Sequence, residues 1–347
     1  MHRIDTPTAQ VDKFGAGKNG FTIGNPQTGE LPTALDADFF DAVQEELCAP
    51  IEAAGLAVDK SKKNQLLSAL KLLFLQPSNA LSEIKSLGAP SQAKAVENLG
   101  VRSVLAGITG STRNLAMNVT SASATATVTA DEIIVSTALG GSQYRIGSFS
   151  KTINLATTGA GGMDTGTVPA NGFVGIYAIY NPTTGASALI AVNAAAVIGE
   201  VYGGNNMPAG YSASALLTIV PTASSQFKIF TVVGRSVYSG ASTILSTSSN
   251  LTPTLISISS IAPLNSKLIE GLIALGSTAA GTLSVSLNSS NASQGIRQFG
   301  AYTPASAVVS SGYTGMPITM PGYIYVSTSN ATSGTGSFVI YCSGYTI

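Results

Sequence analysis

Phe173-Val-Gly-Ile-Tyr-Ala-Ile-Tyr180 is a run of β-branched and aromatic residues that stops at Asn181-Pro182, a turn-forming pair. Such a run reads as a β-strand, and the same reading extends in both directions. Upstream stand Thr125-Ala-Thr-Val-Thr129, Glu132-Ile-Ile-Val-Ser136, Tyr144-Arg-Ile-Gly-Ser-Phe149 and Ser150-Lys-Thr-Ile-Asn-Leu155. Downstream stand Ser214 to Val220, Gln226 to Val233, Leu255 to Ser259, Leu268 to Leu275, Leu283 to Leu287, Tyr323 to Ser327 and Phe338 to Cys342. Turn residues separate them at Gly140-Gly141, Gly203 to Asn206, Pro208 to Gly210 and Ser333 to Gly336. From Leu115 onward the apolar period is therefore two. Many short strands at this spacing predict antiparallel β-sandwich or barrel modules.

Before Leu115 the pattern is different. Residues 1–31 are dense in turn residues and read as an irregular arm. Gly15-Ala-Gly-Lys-Asn-Gly20 matches GxGxxG, but no strand precedes it, no helix opens at its end, and the Lys-Ser/Thr of a phosphate-binding loop is missing. It reads instead as a loop hugging a partner, with Phe14 and Phe21 as anchors. Thr33 and Asp36 have capping-box-like spacing. Phe39, Phe40, Val43 and Leu47 then recur as the stripe of an amphipathic helix. Pro50 is expected to break or restart that helix and Gly55 to cap it. A second helix is expected from about Ser61, with Leu66, Leu67, Leu70, Leu73 and Phe74 on one face, ending before Pro77. Two short helices cannot cover both stripes alone, so a further partner is implied. Residues 76–110 read as a linker with one short helix capped by Ser91 and closed by Gly100.

The 347 residues carry 17 Lys and Arg against 17 Asp and Glu, which excludes a global basic surface for nucleic acid. Only 10% of residues are charged. Residues 106–347 hold seven basic and five acidic residues, so the β region is nearly charge-free. No apolar run is long enough for a membrane helix, so no membrane insertion is expected, and the N-terminus lacks the apolar core of a signal peptide. The single histidine, His2, leaves little room for histidine-based catalysis or metal binding. Cys48 and Cys342 form no disulfide framework. Strands rich in Ala, Gly, Ser and Thr bury little area each, and few charges guard their edges. Several copies packed lengthwise would solve both problems, so a slender homo-oligomer is expected.

Lys13-Phe-Gly-Ala-Gly-Lys-Asn-Gly-Phe-Thr-Ile-Gly-Asn-Pro-Gln-Thr-Gly29, Leu35-Asp-Ala-Asp-Phe-Phe-Asp41 and Gln44-Glu-Glu-Leu47 resemble the N-terminal segment of bacteriophage tail fibre proteins. Ala95-Val-Glu-Asn-Leu-Gly100 is similar to their linker helix. Asp164-Thr-Gly166, Tyr177-Ala-Ile-Tyr-Asn-Pro182 and Met207-Pro-Ala-Gly-Tyr211 resemble the β module that ends many of them. The resemblance implies an elongated, mainly β homotrimer in the virion tail, made in the host cytoplasm. Residues 1–75 would attach to a baseplate or tail-tip protein through Phe14, Phe21, Phe39, Phe40 and Leu47. After a linker at 76–110, a β-sandwich at 111–245 and a second β module at 246–347 would meet the host. The receptor would be a surface glycan or an outer-membrane protein. A purely structural tail component, or the fibre of a phage-derived bacteriocin, is the alternative, and a glycan depolymerase the third reading.

Chemistry is sparse. Glycoside cleavage needs two carboxyls flanking the bond, and no such pair stands out. No enzyme, cofactor or metal site is expected. Saccharide binding needs aromatic faces and amide, hydroxyl or Arg donors. Loops around Asn291, Arg297, Tyr302, Ser311 to Tyr313 and Asn330 supply these types, as do Tyr202 and Asn205. Asn291, Arg297, Tyr302, Tyr313, Asn330, Tyr202 and Asn205 are thus the candidate receptor-binding residues.

Overall fold

The Asp36 carboxylate accepts from the Asp38 amide and opens α1 (Ala37–Ala53). Thr33 is not part of that cap. Its hydroxyl accepts from the Thr22 amide and holds the arm instead. Pro50 lies inside α1 without ending it. Termination comes at Gly55, whose φ of 74° is open to a residue without a Cβ. The Gly55 amide donates to Glu52 and the Leu56 amide to Ile51, the paired bonds of a Schellman motif. The second helix, α2 (Gln65–Leu73), starts later than Ser61. The Asp59 carboxylate accepts from the Ser61 amide and hydroxyl, and the Gln65 side chain bonds the Asp59 backbone at both ends. That turn consumes the residues expected to be helical. Two further helices follow, α3 (Ser82–Ser86) and α4 (Ala89–Asn98). Ser91 therefore sits within α4 and does not cap it.

The computed structural model describes residues 2–74, 81–99 and 107–347. The expected cap Gly100 lies outside them. The chain divides into two compact units, Met1–Leu99 and Gly100–Ile347.

The second unit is all β. Its strands are β1 (Thr112–Arg113), β2 (Ala116–Val119), β3 (Thr125–Ser136), β4 (Gln143–Asn154), β5 (Asn171–Tyr180), β6 (Ser187–Asn193), β7 (Ala213–Ala223), β8 (Gln226–Phe227) and β9 (Phe230–Val233). They continue with β10 (Ser236–Thr247), β11 (Leu251–Ser257), β12 (Leu268–Ser277), β13 (Gly281–Asn288), β14 (Arg297–Thr303), β15 (Val308–Pro317), β16 (Tyr323–Asn330) and β17 (Gly336–Thr346). A 13-stranded sheet runs β15-β12-β17-β10-β9-β2-β3-β7-β5-β6, with β1 and β4 branching from β3 and β8 from β7. A four-stranded sheet runs β11-β16-β13-β14. Every pairing between the strands is antiparallel.

The expected alternation is visible strand by strand. In β13, Leu283, Val285 and Leu287 are buried while Ser284 and Ser286 are partly exposed. β5 and β7 are exceptions, because Phe173 to Ile179 and Ala213 to Thr222 are buried on both faces. One continuous core joins Leu115 and Val128 to Ile324 and Ile340. The boundary expected at 245/246 falls inside β10, which pairs with both β9 and β17. Further stitches cross it. The buried Tyr345 hydroxyl donates to the Ile219 carbonyl at 2.8 Å, and the Asn265 amide exchanges two bonds with the Ile198 backbone.

Candidate functional site

Arg297, Tyr302 and Tyr313 stand on strands β14 and β15, not on loops. Alternation then decides their fates. Arg297 points inward, and its guanidinium donates to the Thr314 carbonyl at 2.8 Å, the Gly315 carbonyl at 2.6 Å and the Ile296 carbonyl at 3.0 Å. Tyr313 is 5% exposed and donates its hydroxyl to the Tyr341 carbonyl. Burial pushes that phenol far above its ordinary range. The two residues do meet, lining one cavity of about 240 Å³ with Phe299 and Ser311. Most of their polar capacity is already spent on backbone.

Tyr302 is the opposite case, at 66% exposed. It lies across from Thr282, with Gly300 across from Ser284 and Gln298 across from Ser286. Ser284 and Ser286 in turn face Ser329 and Ser327 of β16. Tyr302 therefore rises at one edge of a flat sheet face made of hydroxyls, an amide and no charge. The serines of this face were missed by sequence reasoning. Their signal is the alternation of Leu283-Ser-Val-Ser-Leu287, which puts both hydroxyls on the side opposite the core.

Asn330 is turned inward. Its amide donates to the Gly334 carbonyl and accepts from the Thr332 amide, closing a turn. Asn291 is exposed in the turn after β13. Tyr202 is 8% exposed, donates to the Asp164 carboxylate at 3.0 Å and accepts from the Asn206 amide at 3.2 Å. Burial and the Asp164 carboxylate raise its phenol pKa, while the Asn206 amide opposes them. Its ring meets Tyr177 edge to face. Tyr202 thus pins its own loop, and Asn205 is exposed on that loop. Nearby, Arg235 grips Glu200 through two bonds of 2.8 Å each, beneath which Gly110 passes at a φ of 82°.

In the first unit the aromatic residues gather. Phe39 meets His2, Phe21 and Phe40 edge to face. Phe14, Phe21, Phe39 and His2 line an open cavity of about 390 Å³ with Ile4. Gly20 closes its floor, since a Cβ there would fall 2.8 Å from the Phe14 ring. Leu47 lies on α1 with 48% exposure. His2, Asp5 and Asp36 each bring a ligand atom within 4.8 Å of the others. Asp36 is too far along the chain for sequence spacing to suggest that cluster.

No protein-family model matches the chain. Over 101 residues, 29% of its length, it is 57% identical to the uncharacterized protein StfP of Escherichia coli strain K12, across 47% of that protein. Over 68 residues, 18% of its length, it is 44% identical to tail fiber protein S of Escherichia phage Mu, across 14% of that protein. The chain spans less than half the length of these curated relatives, and what it shares with a phage tail fibre is a segment.

Proposed function

We propose that this protein is a bacteriophage tail fibre that fixes to the virion through residues 1–75 and adsorbs to a host-surface saccharide through its β unit. The similarity to tail fiber protein S carries the tail-fibre part of this reading. The adsorption part rests on Tyr302 beside an uncharged hydroxyl face. An exposed ring supplies a stacking plane for a sugar, and the flanking hydroxyls and the Gln298 amide supply donors and acceptors. Attachment rests on the aromatic cavity of Phe14, Phe21 and Phe39, which offers an apolar recess to a tail protein.

A homotrimer belongs to the same reading. Leu67 and Leu70 of α2 are exposed by 57% and 38%, with Phe74 just past its end at 64%, apolar surface that further copies of the chain would cover. The test is binding of the labelled full chain to a panel of enterobacterial cells, with and without Tyr302→Ala. Saturable binding that weakens with Tyr302→Ala supports adsorption at this face. A wild-type chain that binds no cells defeats the adsorption reading.

A further inference from the structure

Two adjoining cavities of about 250 and 270 Å³ open between the start of β5, the end of β7, β10 and the turn at 258–264. Both are lined by Asn171, Gly172, Phe173 and Ser259, so they form two halves of one groove. Phe173, Pro221, Ile261 and Leu264 make its apolar walls. Its polar lining differs from that of the Arg297 cavity. The Asn171 amide, the Ser242 and Ser260 hydroxyls and the Lys228 ammonium have no hydrogen-bond or ionic partner among the described residues. No carboxylate lines either half, and Lys228 is the one ionisable group there.

A fold that spends the polar groups of Arg297, Asn330, Tyr313 and Tyr202 on its own backbone and turns leaves four unspent around one concavity. Their chemistry is specific: an amide that both donates and accepts, two hydroxyls, and one cation over an apolar floor. A free inorganic anion would use only the cation. Two or three linked sugar units would use the whole groove, their apolar faces along the half-buried Ile261 and Leu264 and their ring hydroxyls on Asn171, Ser242 and Ser260. The uncompensated positive charge then selects for an acidic unit, because a charge-assisted bond is about twice as strong as a neutral one.

We propose that this groove is a second glycan site, distinct from the Tyr302 face, selective for saccharides with a carboxylate that Lys228 receives. Its role in the particle rests on the adsorption reading, while its existence is measurable separately. The experiment is saturation-transfer NMR on the full chain with tri-galacturonate and with its neutral methyl ester. The acid is expected to bind about three- to tenfold more tightly than the ester at low salt. Lys228→Gln, at an exposed position, should remove that preference, and Ser242→Trp should fill the groove and abolish transfer to both. Equal binding of acid and ester by the wild type overturns the proposal. So does transfer that survives Ser242→Trp, or a change in oligomeric mass with Ser242→Trp, which would make the groove a contact between copies. Cell binding separates the two readings. Cells bound undiminished after loss of trisaccharide binding leave adsorption standing without the groove's part in it. Trisaccharide binding by a chain that binds no cells leaves the groove standing alone.

Discussion

The Tyr313 ring is packed in the core and its hydroxyl is held by the Tyr341 carbonyl, so its contribution is to stability. Tyr313→Ala is expected to cost about 3–5 kcal/mol, the range for deleting a buried aromatic ring, and Tyr313→Phe about 1 kcal/mol for the lost bond. Tyr302→Ala should stay within about 0.5 kcal/mol, as exposed substitutions do. Thermal unfolding of the three variants checks this, and a Tyr313→Ala protein that melts with the wild type would refute the assignment. The two tyrosines could not be told apart by sequence. Both sit in strands diluted with small residues, Gly and Ala in β14 and Gly and Ser in β15, which leave the inward parity undecided. Alternation was legible in Leu283 to Leu287 because only one parity there is apolar. A second expectation concerns alkali. Burial pushes the Cys342 thiol up to about 11. Between the ordinary thiol range and pH 11 the unfolded chain therefore holds fewer protons than the folded one, and stability falls as pH rises. The loss attached to Cys342 is on the order of 2 kcal/mol by pH 11. Urea titrations at pH 8 and 10.5 should show the decline, and Cys342→Ala should lessen it.

Among the elements, the pairing of β12 with β17 depends on a single glycine. Both ladders of β12 shift register beside Gly271, and a Cβ there would collide with the Tyr341 carbonyl oxygen. Backbone cannot yield as a side-chain tip can. Gly271→Ala should therefore destabilise the β unit by more than about 2 kcal/mol, read as a lowered urea midpoint. The N-terminal counterpart is milder. Asp36→Ala removes the α1 cap and should cost about 1 kcal/mol, visible as lost helical circular dichroism on heating. The start of α1 was misplaced, since Thr33 and Asp36 read as a capping box while Asp36 itself caps α1 and Thr33 holds Thr22. The stop at Gly55 was legible, because it is a local device written in one residue type. β10, β14 and β15 were not, since Ser236 to Thr247, Arg297 to Thr303 and Val308 to Pro317 carry too few large apolar residues to mark a period. Their pairing partners, not their own composition, make them strands. Pro50 failed as a breaker for a related reason: Schellman bonds beyond it and the buried Ile51 beside it favour continuing the helix.

For the whole molecule, light scattering is expected to give about three times 35.0 kDa, and a stable monomer at micromolar concentration would exclude the trimer. With seven basic and five acidic residues beyond position 105, contacts made by the β unit outside the Lys228 groove should depend only weakly on salt, since screening has few charges to act on. One architectural fact bears on how such a protein is made. β17 lies between β10 and β12, so an interior position of the large sheet, third from its β15 edge, is filled from residues 336–346. On the ribosome, β10 and β12 emerge with their shared partner still to come, and their open edges invite wrong pairing with neighbouring nascent chains. Folding of the large sheet is then held back until residues 336–346 are available. A chain truncated before β17 would leave β10 and β12 without the strand between them, and is expected to be degraded by proteases faster than the full chain.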